Sequence, residues 1–130
     1  MVAATSEPYS LLITDDDDAL RDSLRMIFEP KGFNTYLAGS GHEAVRVIEG
    51  KRIHIVIVDM QMPDLTGLET IALIRSKLRK AIPYILMSGD PSQELRQKAL
   101  EAEAYSFLPK PLDVFGMRKL VDEIIRRYYS

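Results

Sequence analysis

The sequence predicts an α/β protein: one doubly wound parallel sheet with helices on both faces. Three observations predict it. Unbroken aliphatic and β-branched runs recur along the chain, segments with one apolar helical face alternate with them, and connections of two to six residues join one to the next. Strict alternation with short connections calls for parallel strands joined by right-handed crossovers, which distribute the helices over both faces of the sheet. At 130 residues there is room for one domain, and 46% apolar against 28% charged residues is the balance of a chain that packs a core.

The first strand is placed at 9–14, where Leu11-Leu12-Ile13 shows no polar alternation, as expected of a strand buried on both faces. Leu20, Leu24, Ile27 and Phe28 then recur at helical spacing over 18–29, and Pro30 and Gly32 end that helix. The strand at 33–37 is short and partly polar, which suits a sheet edge. A helix over 41–49 leads to a strand at 53–58, built on Ile55-Val56-Ile57-Val58. A helix over 65–78, a strand at 82–88 carrying Ile85-Leu86-Met87, a helix over 91–102 and a strand at 104–108 follow. Met117, Leu120, Val121, Ile124, Ile125 and Tyr128 stripe the last helix, 113–128. Asp90, followed by Pro91 and Gln93, predicts the N-cap of the fourth helix, and Asp113 that of the fifth. Residues 1–8 are expected to form a flexible tail.

Composition removes several function classes. With no cysteine there is no disulfide framework, thiolate zinc site or cysteine nucleophile, and a reducing cytoplasmic location is expected. His42 and His54 are too few to hold zinc and read as surface or strand-edge residues. A net charge of −2 without a basic stripe argues against direct nucleic-acid binding. The longest stretches free of Asp, Glu, Lys and Arg, 32–42 and 81–89, are far short of the ~20 residues that span a bilayer, so no membrane insertion is expected.

In an open parallel sheet, ligands bind beyond the carboxyl ends of the strands. Four clusters stand there: Asp15-Asp16-Asp17-Asp18, Asp59-Met60-Gln61-Met62-Pro63, Ser88-Gly89-Asp90 and Pro109-Lys110-Pro111. Asp17 and Asp18 open a helix and complement its dipole. The other carboxylates, converging on one crevice, repel each other and suit a hard cation. Magnesium, which takes one or two carboxylates plus waters and a phosphate, fits best. Lys110, aimed by its flanking prolines, and Ser88 complete a cradle for a phosphoryl group, and an Asp carboxylate can itself be the nucleophile that accepts it.

The segments LLITDDDDALRDSL, HIVIVDMQMPDLTGLE, YILMSGD and FLPKPLD, in this order and spacing, resemble the receiver domain of bacterial response regulators over 9–128, leaving 129–130 as a C-terminal end. The resemblance implies a flavodoxin-like strand order 2-1-3-4-5 and a phosphoacceptor switch of two-component signalling. It implies that Asp59 is the phosphoacceptor, Asp16 a direct Mg²⁺ ligand, Asp15 its outer partner, and Gln61 the donor of a backbone carbonyl to the metal. Ser88 and Lys110 would hold the phosphoryl oxygens, with Ser88 and Phe107 forming the switch. The implied partner is a sensor histidine kinase or histidine phosphotransfer protein. The surface of helix 91–102, strand 104–108 and helix 113–128 would host a partner or a homodimer. Such a chain modifies only itself and is no enzyme in the ordinary sense. By the same resemblance Gln61 and Asp90 would flank the path of hydrolytic water.

Three departures from the family pattern bear on switching: Thr14 replaces an aliphatic residue, Glu103-Ala104-Tyr105 replaces a Gly-Ala turn, and Phe107 lacks a hydroxyl, so its bias must come from packing. Gly39-Ser40-Gly41-His42-Glu43-Ala44 fits a dinucleotide-binding fingerprint, but an edge strand precedes it where a central one is required. Gln61 replaces the second acid of a haloacid-dehalogenase-like phosphatase, and a calcium loop would need a glycine where Leu20 stands. The rival of another class is a receiver-shaped docking module that works without phosphorylation.

Overall fold

Side-chain alternation along the central strands decides which helices cover which face. The computed structural model describes residues 8–78, 81–90 and 92–129. Among these, β1 (Ser10–Thr14), β2 (Asn34–Ala38), β3 (Ile55–Asp59), β4 (Tyr84–Ser88) and β5 (Ser106–Pro109) form one parallel sheet in the order β2-β1-β3-β4-β5. The helices between and after them are α1 (Asp18–Phe28), α2 (Gly41–Gly50), α3 (Gly67–Lys77), α4 (Gln93–Glu101) and α5 (Val114–Tyr128). Leu11, Ile13, Ile55, Ile57, Ile85 and Met87 face one way and pack under α1 and α5. Leu12, Val56, Val58, Tyr84 and Leu86 face the other way, under α2, α3 and α4. β1, β3 and β4 are buried along their whole length, which is why their sequences show no polar alternation. The strand order is the expected one. It reverses direction at β1, which opens a crevice between the β1 and β3 ends where a ligand can enter.

Helix starts match local chemistry, with one correction. Asp17 accepts from the N–H groups of Ala19 and Leu20, and Asp113 accepts from that of Phe115. Ser92, not Asp90, caps α4, accepting from Leu95 N–H, and Gln93 is the first helical residue. Asp90 is occupied in the preceding turn, where its N–H donates to Ser88 Oγ and its carbonyl accepts from the same hydroxyl. Pro91 lies outside the described residues, as does most of the tail placed at 1–8. α3 begins two residues later than expected, at a capping box of Thr66 and Glu69. Among the described residues no helix is long and apolar enough to cross a membrane.

Thr14 is fully buried at the end of β1, and its hydroxyl has no hydrogen-bond partner. An orphaned buried hydroxyl costs about 1–3 kcal/mol. Thr14→Val, which deletes the hydroxyl at nearly constant volume, should therefore raise the urea midpoint, by the equivalent of about 1 kcal/mol.

Candidate functional site

The alternation that sorts the core also aims the charged residues. Asp15 follows Leu11 and Ile13 in register, Asp59 follows Ile55 and Ile57, and Lys110 follows Leu108, so all three leave the sheet on its α1/α5 side. Strand pairing continues past the strand ends: Asp15 N–H donates to Ala38 O at 3.0 Å and Lys110 N–H to Ser88 O at 2.8 Å. The Lys110–Pro111 bond is cis. Lys110 Nζ lies 2.7 Å from Asp15 Oδ2 and 3.3 Å from Asp59 Oδ1. Both carboxylates are buried, at 0% and 4% exposure, so one ammonium serves two negative groups away from solvent.

The imbalance appears in the titration of Asp59. Burial, then the negative charge of Asp15, pushes its carboxyl up to about 6, against the opposing pull of Lys110 and the Gln61 N–H. Burial alone would lower Lys110, but its hydrogen bond to Asp15 and the charges of Asp59 and Asp15 outweigh that and hold it above the usual lysine range. Asp16 joins the pair at the solvent side, and one carboxylate oxygen from each of Asp15, Asp16 and Asp59 lies within 4.8 Å of the others. Three hard oxygen donors with a surplus of negative charge and no imidazole or thiolate among them are the donor set of a divalent cation such as Mg²⁺.

Ser88 and Phe107 belong to the opposite face, in register with Leu86. The buried Ser88 hydroxyl lies 3.1 Å from the Asp90 carbonyl and 3.3 Å from Gln61 Oε1, so it points to the loop after β3 rather than to Asp59. Phe107 is half-buried, with the Arg96 guanidinium 5.2 Å over its ring. A cation–π contact of about 0.5–1 kcal/mol thus joins packing in setting its position, a contribution the sequence reading lacks.

A family model described as response regulator receiver domain matches residues 11–124. The chain belongs to the response regulator receiver domain family. Response regulator MprA of Mycolicibacterium vanbaalenii is 33% identical over 120 residues, 92% of this chain and 52% of that protein. Transcriptional regulatory protein ZraR of Salmonella typhimurium is 31% identical over 115 residues, 88% of this chain and 26% of that protein. The receiver chain thus spans about half or less of the length of these relatives. Among solved structures, a CheY-like receiver domain protein from Methanospirillum hungatei JF-1 matches with a TM-score of 0.85 at 28% identity, covering 92% of this chain and 95% of that one. A response regulator receiver protein from Pseudomonas putida matches with a TM-score of 0.84 at 28% identity, covering 94% and 99%. The chain is a receiver domain of two-component signalling, a signalling module rather than an enzyme that turns over free substrate.

Two residues of this receiver escaped the sequence reading. Arg21 donates to the Asp15 carbonyl and pairs with Asp18, and only its spacing of three from Asp18 on a helix hints at this. Asp64 accepts from the N–H groups of Gly41 and His42 at 3.0 and 2.9 Å, and His42 Nδ1 lies 2.7 Å from its carboxylate. Partial desolvation works against the Asp64 charge, but the His42 and Gly41 N–H groups outweigh it and hold its carboxyl well below the usual carboxylate range. The loop after β3 is thereby tied to the start of α2, by partners more than twenty residues apart that no local pattern reveals. The glycines of the apparent dinucleotide fingerprint serve packing. A Cβ at Gly41 would strike Leu65 at 2.8 Å and Thr70 still closer, and one at Gly39 would press on Arg21. Gly67 likewise lets α3 start against the Asp59 carbonyl, which a Cβ would meet at 2.6 Å.

Because the Asp59 carboxyl is raised in the folded state, its stabilising contribution is complete below the unfolded value near 3.8 and is lost as pH rises through about 6. Without added metal, Asp59→Asn should therefore be more stable than the native chain above about pH 7, by up to about 3 kcal/mol, with the gap closing toward about pH 4. Urea unfolding of both chains across that range measures it; a gap of the opposite sign would contradict it.

Proposed function

We propose that this domain is a phosphoacceptor switch, in which Asp59 takes a phosphoryl group from a histidine kinase, a histidine phosphotransfer protein or a small acyl phosphate in a Mg²⁺-dependent step. The carrying observation is the contact of Lys110 with both Asp15 and Asp59 beside the exposed Asp16. An Asp59 carboxyl near 6 is mostly ionised at neutral pH, as a nucleophile must be. One of its oxygens bonds to phosphorus as the bond from phosphorus to the donor's imidazole nitrogen, or acyl oxygen, breaks and its electron pair leaves with the donor. Asp15 and Asp16 would hold Mg²⁺ together with Asp59 and the Gln61 carbonyl. When bound, the ion offsets negative charge on the carboxylates and the phosphoryl oxygens. Lys110, already 3.3 Å from Asp59 Oδ1, is positioned to bind an arriving phosphoryl oxygen.

The modification adds about one unit of negative charge and three acceptor oxygens. Ser88, whose hydroxyl now serves the Gln61 and Asp90 acceptors, turns toward them, and the space it leaves is taken by Phe107. The remodelled surface is α4, β5 and α5. It already carries a groove of about 350 Å³ lined by Arg96, Leu100 and Phe107. That face would host a partner or a second copy of the chain. Gln61 and Asp90 flank the route of the water that ends the signal.

Incubation with acetyl phosphate and Mg²⁺, read by intact mass, should give one phosphoryl adduct that is absent in Asp59→Asn and without Mg²⁺. No adduct on the native chain would leave the phosphorylation-independent docking module as the better reading. In the same sample, backbone amide shifts should extend to α4, β5 and α5. Shifts confined to the loops after β1 and β3 would refute the proposed route.

A further inference from the structure

The exposed Asp16 side chain leaves the backbone in a direction set partly by the peptide between residues 15 and 16, so whatever fixes that peptide restricts where its carboxylate can reach. That peptide is planar and rigid, and the carbonyl of Asp15 and the N–H of Asp16 turn together. Every polar atom of Asp15 is held: its N–H by Ala38, its two carboxylate oxygens by Asp17 N–H and Lys110, and its carbonyl by Arg21. Arg21 reaches that carbonyl with one guanidinium nitrogen and the Asp18 carboxylate with another. Its side chain is only 16% exposed although it starts on an outer helix. The reason lies in the turn after β2, where Gly39 leaves room for the guanidinium and a Cβ would stand 3.2 Å from Nη1.

We propose that Arg21 is a positioning residue for the cation site: clamped between the Asp15 carbonyl, the Asp18 carboxylate and the backbone at Gly39, it fixes the plane of the 15–16 peptide and so the aim of Asp16. This inference rests on the reading of Asp15, Asp16 and Asp59 as a cation site. It separates cleanly from the alternative that Arg21 is only a nearby positive charge, because the two predict opposite signs. A bystander cation repels Mg²⁺, so its removal would tighten binding. Loss of a positioning contact frees the peptide and weakens binding, and outer-shell contacts of this kind are worth about 10–100-fold in metal affinity.

Isothermal titration of the metal-free chain with Mg²⁺, compared with Arg21→Ala and Arg21→Gln, reads the difference directly. Arg21→Ala should bind Mg²⁺ about 10-fold or more weakly, and Arg21→Gln, which keeps an amide donor without the charge, should fall between it and the native chain. Equal or tighter binding by either variant overturns the inference. Circular dichroism in chelator checks that each variant is folded, and if Arg21→Ala is not, Arg21→Gln decides on the same criterion. A native chain that gives no binding isotherm would remove the cation reading itself and this inference with it, a result distinct from a native chain that binds and variants that bind equally well.

Discussion

Asp15 and Asp59 are buried beside one ammonium, Lys110, at the end of a sheet whose interior is mostly apolar, and much of the structure is arranged around the charge imbalance that results. Burial raises the free energy of each carboxylate and brings them close enough to repel, while Lys110 offsets part of this. The surplus is what a divalent cation would neutralise and what a carboxylate needs to be a reactive but ionised nucleophile near neutral pH. A third carboxylate, Asp16, stands at the solvent side, where an ion can enter without the chain opening.

Holding such groups together requires a frame that repulsion cannot relax. The strands supply it: β1 and β3 are paired with each other and flanked by β2 and β4, and the side-chain alternation that buries Ile13 and Ile57 delivers Asp15 and Asp59 to the same side. The loops are braced as well. Asp64 ties the loop after β3 to the start of α2, Gly67 brings α3 against the Asp59 carbonyl, and Arg21 grips the loop after β1. The hydroxyl of Ser88 and the ring of Phe107 belong to the other face, so under the proposed function a change at Asp59 would reach α4 and β5 through the sheet's end and the Gln61 loop.

The architecture was readable in the sequence because three central strands are buried on both faces, which leaves uninterrupted runs such as Leu11-Leu12-Ile13 and Ile55-Val56-Ile57-Val58. The ends of those runs carry Asp15, Asp59, Ser88 and Lys110, so these residues stood out as candidates from their places in the chain, and the order of the segments that hold them pointed to the family. What escaped depends on partners distant in the chain or on competition between neighbours. Asp64 meets His42 across 22 residues, Asp90 loses the α4 cap to Ser92 because Ser88 engages its backbone, and Arg96 finds Phe107 only once α4 lies on β5. Thr14 was legible as a departure, whereas the absence of a partner for its hydroxyl became visible only in the packed structure.

Whether uncompensated negative charge at Asp15, Asp16 and Asp59 governs this site is read by melting the metal-free chain with and without millimolar Mg²⁺. A ligand of the native state raises apparent stability by mass action, so the native chain's melting temperature should rise with Mg²⁺ concentration, and the rise should shrink in Asp59→Asn, where one donor charge is gone. A melting temperature that Mg²⁺ leaves unchanged in the native chain would contradict the account.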